Sequence, residues 1–473
     1  MPRFGVRQGE KIRAIDDAAS SGHNTATFTY ETISLPTVEF PVHVATYVLH
    51  VCESIGIEIP PLMLALDDID AAYRRVPTSQ PQYTVCAFYS RRLARVSFHI
   101  VYGHNFGLVS VVLNFSRVPA LLCHFLVRFF AAWCTHYVDD YIEMDISRGT
   151  QPHAQRYVHR LHNILRFYLA PAKIVRPSFI NKVLGVMCDL SMFHILCTVT
   201  LSPTPGRCTR ILDMLRAILE EGSISPAKAK VLIGLLGFFL TTTFGKLGRA
   251  ASQPIYAAST ATTSSHLTYS MRHAIWFYQL LLPRLPPRTI HLNSRRLTPH
   301  FIIYSDASLS GMGFVIIDNS TTPFKVYFGS SLSIPLWVQS RLPGHGATAI
   351  CQLEVLAALS VYLSAPHILM SQTYIIHFID NTSAMAALIH GYSSRPEMAL
   401  LTNLFHVATF NLSVTPWLEW VKSEANFADH PSRPNFTEST TWFWLRLHNA
   451  VQLPLILPTP SQWDNPSLVL HSK

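Results

Sequence analysis

No two of the eight cysteines in this 473-residue chain form a Cys-x-x-Cys pair. Cys52, Cys86, Cys123, Cys134, Cys188, Cys197, Cys208 and Cys351 are scattered, so neither a zinc ribbon nor a dithiol redox motif is signalled. Reduced, mostly buried thiols in an intracellular protein are the simplest reading, with nucleus and cytoplasm both open. The opening Met-Pro-Arg-Phe-Gly-Val-Arg lacks the apolar core of a secretory signal. The apolar run 231–244 is too short to span a bilayer, and the run 118–134 is interrupted by His124 and Arg128. Internal repeats and low-complexity tracts are also missing. The chain therefore reads as soluble, without a membrane partner.

Acidic residues are scarce, 28 against 37 Lys and Arg, for a net charge of +9. Such an excess suits a polyanionic partner, because clustered Lys and Arg displace counterions from phosphates. An ordinary basic protein is the alternative on charge alone. Hydrophobic residues make up 49% of the chain, which excludes disorder and allows two to four domains with ample cores.

Residues 60–100 alternate between apolar and polar as strands do, and 118–133 has helical apolar spacing. Tyr137-Val-Asp-Asp-Tyr-Ile142 reads as a hairpin with carboxylates at its tip. A helical, basic region at about 207–285 is bounded by Pro203 and Pro205 and by Pro283, Pro286 and Pro287. It carries Arg207, Arg210, Arg216, Lys228, Lys230, Lys246 and Arg249. Beyond it, 301–305, 312–317 and 326–328 read as strands, 352–363 as a helix and 373–379 as a strand. That order suits an α/β sheet domain. The tail after Asn435 has helical potential and no motif.

Two acidic constellations stand out. Ala65-Leu-Asp-Asp-Ile-Asp-Ala-Ala-Tyr-Arg-Arg-Val-Pro77 holds three aspartates, and Tyr-Val-Asp-Asp follows about 70 residues later, ending at Asp140. Phosphoryl transfer by two divalent cations ~3.5–4 Å apart needs carboxylates shared from different strands, which two such clusters can supply. A lone Asp-Asp is more commonly a solvated turn; the two segments in this order are more specific. The second constellation is Asp306 before a glycine-bearing turn, Glu354 in a helix, Asp380 after an apolar strand and Asp429 in Ala-Asn-Phe-Ala-Asp-His-Pro-Ser-Arg433. Singly each is more simply a cap or solvated charge, and Asp380 could cap the helix that follows it. Four acids on four elements can converge on metals that activate water against a phosphodiester.

At this point the sequence resembles the reverse transcriptase family, from Arg3 to about Arg433. Leu66-Asp-Asp-Ile-Asp-Ala-Ala-Tyr looks like the first palm motif, whose catalytic Asp lies five residues before an aromatic. That selects Asp68, with Tyr73 as the ring that excludes a nucleotide 2′-hydroxyl; a core aromatic is the plain alternative. Asn105-Phe-Gly-Leu resembles the second palm motif. A glycine there lets the backbone approach template and incoming base. Asn105 stands where many members have Pro or Gln, so only Phe106 and Gly107 carry over. Tyr137-Val-Asp-Asp matches the third motif and gives Asp139 and Asp140. Lys173 in Ala-Pro-Ala-Lys matches a suggested proton donor to pyrophosphate, with a solvated lysine as the alternative. Val183-Leu-Gly-Val186 resembles the primer grip. Near the start, Phe4–Asp16 resembles the fingers strands that hold the triphosphate, with Arg13 the best match and Lys11 and Arg7 weaker; an arginine fork suits phosphate. Tyr137, Gly185 and Arg249 are the expected contacts to nucleic acid.

The second constellation is similar to the ribonuclease H family, which implies Asp306, Glu354, Asp380 and Asp429 as metal ligands. That family often has a mobile histidine before the last aspartate; here the nearby positions hold Trp417, Glu419, Trp420 and Lys422. The resemblance implies an α+β and α/β multidomain chain, a right-hand polymerase of fingers, palm and thumb followed by a ribonuclease H-like domain. Its expected divisions are partial fingers at 1–60, palm with the remaining fingers at 61–200, a helical thumb and connection at 201–299, the ribonuclease H-like domain at 300–435 and a tail at 436–473. It implies two Mg²⁺ or Mn²⁺ ions per site and, as partners, an RNA template, a DNA primer, dNTPs and an RNA–DNA hybrid; oligomeric state stays open. The ending at Arg433, the Arg-Phe-Gly-Val start and Phe-Gly-Leu in the palm look like the DIRS-like or a related retrotransposon branch, although no tyrosine recombinase is evident. Only a stub precedes the triphosphate motif. A truncated, catalytically inactive relic that only binds nucleic acid is therefore the rival expectation, and a chain active only as nuclease is a third.

Overall fold

The computed structural model describes residues 2–8, 11–147, 153–243, 246–292, 300–342, 347–371 and 375–471. Two compact units divide the chain: Met1–Leu201 with Thr289–Asn293, and Ser202–Arg288 with Ser294–Lys473.

In the first unit, β1 (Arg3–Gln8) and β2 (Lys11–Asp16) pair as an antiparallel ribbon. Helix α1 (Phe40–Ile55) carries Pro41 in its first turn, where no amide partner is lost, and closes on a left-handed Gly56. Its apolar stripe Val44, Val48, Leu49 and Cys52 recurs at helical spacing. Strand β3 (Leu62–Asp68) lies inside a four-stranded sheet of order β6-β7-β3-β8, with β6 (Trp133–Tyr137), β7 (Asp140–Ile146) and β8 (Val175–Ser178). The hairpin β4 (Val85–Ser90) and β5 (Arg95–Ile100) stands apart as a two-stranded sheet.

Helix α2 (Val109–Phe130) starts earlier than the spacing at 118–133 predicts, contains Pro119, and stops where Ala131 turns left-handed. Trp133 already belongs to β6. Among the described residues α2 is the one helix long and apolar enough to cross a membrane, and 39% of its apolar window is buried. Its Phe115, Cys123 and Leu126 share a core with Tyr141 of β7 and with Ala154 and Val158 of α3 (His153–Ile164). The α1 stripe packs on the other row of the sheet, with Leu62, Leu64, Ile142 and Met144. A second four-stranded sheet runs β12-β11-β10-β9, from β9 (Ile180–Val183), β10 (Val186–Asp189), β11 (Thr198–Pro203) and β12 (Arg288–His291).

In the second unit, the helical region expected at 207–285 resolves into α4 (Arg207–Glu221), α5 (Pro226–Leu240), α6 (Gln253–Thr260) and α7 (Tyr269–Leu281). Ser225 and Thr268 cap α5 and α7, each accepting a backbone N–H three residues on. A six-stranded sheet of order β17-β16-β13-β14-β15-β18 follows. It comprises β13 (Phe301–Ala307), β14 (Met312–Asp318), β15 (Lys325–Ser331), β16 (Ile375–Ile379), β17 (Trp417–Trp420) and β18 (Val451–Gln452). Strands β13 to β15 form an antiparallel meander, while β16 joins β13 and β17 joins β16 in parallel. Residues 372–374, at the start of the strand expected from 373, lie outside the described residues. Helix α8 (Ala347–Ser364) is buried along most of its length, with α9 (Thr382–His390) and α10 (Pro396–Asn411) beside it. One core joins Ile211, Leu236 and Tyr278 of the helical region to Ile303, Phe314 and Leu356. The tail is part of it: Trp463, Val469 and Leu470 lie in the same core, and α11 (Thr440–Leu447) packs Leu445 against Val315 and Phe328.

Gly313 on β14 lets the chain at Pro431 lie directly on the sheet; a Cβ at 313 would sit 2.6 Å from the Pro431 carbonyl carbon. Gly313→Ala should therefore destabilise this unit by about 1–3 kcal/mol through overpacking. Urea denaturation checks it, and an unchanged midpoint would mean that Pro431 does not lie there.

Candidate active sites

Successive residues of a strand point to opposite faces. The register of β3 with β7 sets Asp68 opposite Asp140, Leu66 opposite Ile142 and Leu64 opposite Met144, so the two acids continue the row that packs on α1. Asp67 alternates to the other face, beside Tyr141. Asp139 occupies the two-residue turn that links Tyr137 to Asp140. Val138, the first residue of that turn, has φ +56°, the sense a tight right-twisted hairpin requires at this position. A β-branched residue holds that conformation at a cost of about 1–3 kcal/mol. The Ile69 N–H donates to the Asp139 carbonyl at 2.9 Å, tying the turn to the end of β3.

Asp68 is 8% exposed and accepts a charge-assisted bond from Lys173 Nζ at 2.5 Å. Lys173 is delivered by the 3-10 turn Pro171–Lys173, itself fastened by the Ala170 N–H donating to the Asp68 carbonyl at 2.7 Å. Burial, reinforced by the charges of Asp139 and Asp68, pushes Asp140 up to about 6, while Lys173 opposes the shift. Burial and then the Asp139 charge raise the Tyr73 phenol. Tyr73 packs edge-on against Phe106 and Phe115, each at 5.1 Å between ring centres. Gly107 has φ +99°, and a Cβ there would lie 2.3 Å from the Asp16 carbonyl oxygen. The close approach this glycine permits is thus to the last residue of β2, where the sequence pointed to template and incoming base.

The remaining candidates are placed as follows. Arg7 is exposed on β1, and the side chains of Lys11 and Arg13 lie outside the described residues. Tyr137 pairs with Asp140 at the hairpin end. Gly185, at φ +82°, forms with Leu184 the tight turn between β9 and β10. Arg249 is exposed, its guanidinium 5.2 Å from the centre of the Tyr392 ring. Two features escaped sequence reasoning. Asp67 Oδ2 lies 2.8 Å from His159 Nε2 and faces Glu143, whose carboxyl is buried. Burial and then the Asp67 charge hold Glu143 well above the usual carboxylate range. The third aspartate of the segment, Asp70, pairs with Arg75 at 2.7 Å.

In the second unit, Asp306 lies near the end of β13, Glu354 in α8, and Asp380 directly after the adjacent parallel β16. Each offers a carboxylate oxygen, all within 4.8 Å of one another, so the three could hold a metal ion. Among the described residues no other trio of Asp, Glu, His or Cys meets that spacing, the Asp68, Asp139 and Asp140 set included. Asp380 is not the cap of α9: Asn381 is, accepting from the Ala384 N–H at 3.0 Å. Asp380 instead accepts from the Ser423 hydroxyl at 2.8 Å, and its carbonyl from the Trp420 indole at 3.0 Å. Asp429 adjoins the trio without joining it. It is paired with Arg433 at 2.5 Å, and Ser432 Oγ lies within hydrogen-bond distance of both Asp306 Oδ2 and the Asp429 carbonyl. Near Asp429, the Trp417 indole donates to Glu419, and His430 bonds Thr441 at 2.9 Å. Behind Asp306, His377 is fully buried between Ser305 Oγ (2.8 Å) and the Tyr362 hydroxyl (3.1 Å), and burial lowers it to about 3.

Crowding has a measurable consequence. Burial, opposed by the Ser432 hydroxyl and aided by Asp380 and Asp429, pushes Asp306 up to about 7. Burial and the Asp306 and Asp380 charges push Glu354 up to about 10. Both carboxyls bind protons more tightly folded than unfolded, where they titrate near ~4. Their stabilisation is therefore complete below that pH and lost as pH rises through about 7 and about 10. In EDTA the melting temperature should fall from pH 5 to pH 9, and millimolar Mg²⁺ should raise it more at pH 9 than at pH 5. Equal Mg²⁺ shifts at both pH values would sink the metal assignment.

Neither a family model nor a curated protein matches this sequence. Three solved structures of a foamy viral protease-reverse transcriptase are similar. The dRH form with double-stranded DNA aligns at TM-score 0.43 and 11% identity, over 88% of this chain and 65% of that one. The complex with RNA/DNA hybrid aligns at 0.42 and 12%, over 88% and 50%. A further complex with double-stranded DNA aligns at 0.43 and 13%, over 88% and 77%. This chain thus spans between half and about three-quarters of those proteins' length.

Proposed function

We propose that this chain is the RNA-directed DNA polymerase of a retroelement and also cleaves the RNA strand of RNA–DNA hybrids, both by metal-assisted phosphoryl transfer. The observation that carries this reading is the register of Asp68 opposite Asp140 with Asp139 in the connecting turn, which brings two sequence-distant acidic motifs to one strand end. The Asp306, Glu354 and Asp380 trio supports the second activity. The acidic sets stand in polymerase–nuclease order on a chain of net charge +9. The ending Ala-Asn-Phe-Ala-Asp-His-Pro-Ser-Arg433 supports the DIRS-like branch.

In this reading, 1–60 and 61–200 are partial fingers and palm, 201–299 the thumb and connection, 300–435 the nuclease domain and 436–473 its tail. Asp68, Asp139 and Asp140 would hold divalent cations, as would Asp306, Glu354, Asp380 and Asp429. Magnesium, when bound, supplies Lewis-acid polarisation of phosphoryl oxygens and a more acidic attacking hydroxyl or water. Lys173 keeps a positive charge beside Asp68 and can give a proton to departing pyrophosphate. Arg13 and Arg7 would grip the triphosphate by paired N–H donors, and Lys11 as a point charge. Tyr73, braced by Phe106, would lie under the sugar and exclude a 2′-hydroxyl. Tyr137, the Gly185 turn and Arg249 would contact backbone without reading bases.

Asp139→Asn should reduce primer extension on an RNA template by at least ~10²–10³-fold, the scale of losing one electrostatic element of a site, and spare hybrid cleavage. Asp306→Asn should do the reverse. Loss of both activities from either change, with the fold intact, would refute two separate sites; binding of nucleic acid with neither activity in the unsubstituted chain would refute the enzyme.

A further inference from the structure

We infer that Asn105, acting through Arg74 on the buried carboxylate of Asp16, fixes the position of the Tyr73 ring and is thereby a positioning residue for discrimination between deoxyribonucleotides and ribonucleotides. The inference rests on the polymerase reading above.

Asp16 ends β2 and is 1% exposed. Its two oxygens accept from Arg3 Nε at 2.6 Å and Nη2 at 3.3 Å, from Arg74 Nη2 at 2.8 Å and from the Cys86 thiol at 3.3 Å. The other arm of the Arg74 fork donates to Asn105 Oδ1. Asn105 is fully buried, and its amide nitrogen donates to Cys86 Sγ at 3.6 Å. Arg3 Nη2 also donates to Cys86 Sγ at 3.3 Å, so the five side chains form a closed ring of donors and acceptors. A planar guanidinium with both arms engaged has a fixed orientation, which a single contact would not give.

This ring reaches the aromatic gate along two covalent routes. Arg74 is the residue after Tyr73 within the one 3-10 turn Ala72–Arg75, entered through Ala71 at φ +55°. Phe106 is the residue after Asn105, and it makes the edge contact to Tyr73 while the Arg74 guanidinium lies 5.9 Å from its ring centre. The backbone leaves little slack. A Cβ on Gly103 would meet the Arg74 carbonyl oxygen at 2.3 Å, the His104 N–H donates to the Val76 carbonyl at 3.0 Å, and Gly107 is pressed on Asp16. Segment 102–107 and the turn that bears Tyr73 therefore move as one piece, anchored at Asp16. The chemistry also accounts for Asn105. An arginine at 74 that spends one arm on Asp16 needs an acceptor for the other, and a side-chain amide supplies it.

The test is primer extension on an RNA template, comparing each dNTP with its rNTP, for the unsubstituted chain, Asn105→Ala, Asn105→Asp and Arg74→Lys. Asn105→Ala should relax sugar selectivity by about tenfold, the factor that corresponds to one hydrogen bond. Asn105→Asp, which keeps the acceptor, should retain it. Should Asn105→Ala not fold by circular dichroism, Arg74→Lys reports instead, since it keeps the charge on Asp16 and loses the fork; it too should relax selectivity. Unchanged selectivity in a folded Asn105→Ala or Arg74→Lys chain overturns the inference and leaves the polymerase reading standing. Absence of extension by the unsubstituted chain overturns both.

Discussion

A carboxylate buried beside another carboxylate is held there against its own electrostatics, and the backbone has to supply the restraint. Both acidic sites of this chain depend on that restraint. In the first unit it is a pair of antiparallel strands whose register fixes Asp68 across from Asp140, with the strained Val138 turn holding Asp139 at the rim. In the second it is a parallel pair, β13 and β16, with α8 laid against them and the 429–433 segment seated on Gly313. The repulsion stored in each arrangement is relieved by positive charge. Lys173 already does so at Asp68, and Arg433 at Asp429.

The elements that carry these acids were largely legible, because they are declared by local rules. The continuous apolar run Leu62–Leu66 announces β3, and the apolar flanks of Asp139 and Asp140 announce a hairpin. The strand–strand–strand–helix–strand order after Phe301 announces four strands of the six-stranded sheet and the helix against it, although the helix starts five residues earlier than expected and the third strand ends three later. The choice of Asp68 among three neighbouring aspartates rested on resemblance, and pleat geometry gives it a physical reason: Asp67 faces the opposite side and Asp70 lies beyond the strand end. Helix α2 was misjudged at both ends, since Pro119 masks a helix that is already running and the left-handed Ala131 that ends it has no sequence signature.

What could not be read depends on contacts between residues far apart in sequence. Nothing near Glu143 says that it will be buried against Asp67, with burial and that charge raising its proton affinity, because the two are separated by a whole subdomain of chain. Asn105 looked like a departure from a motif until Arg74 and Asp16 were seen around it. For Asp380 the sequence left a helix cap open beside its place among the four acids; the residue after it does the capping, and the acid is left for the cluster. In each case the local signal was satisfied by more than one partner, and only the tertiary arrangement decides among them.

Trp420 adds a property that chemistry alone does not reveal. Its indole N–H is bonded to the Asp380 carbonyl while its ring is 43% exposed, so a fluorophore is wired to the backbone of an acidic cluster and open to solvent at once. Were a cation to enter that cluster, the polarity around this ring would change with it. Trp420 is thus, among the eight tryptophans of the chain, an indole fastened directly to the backbone of the acidic cluster.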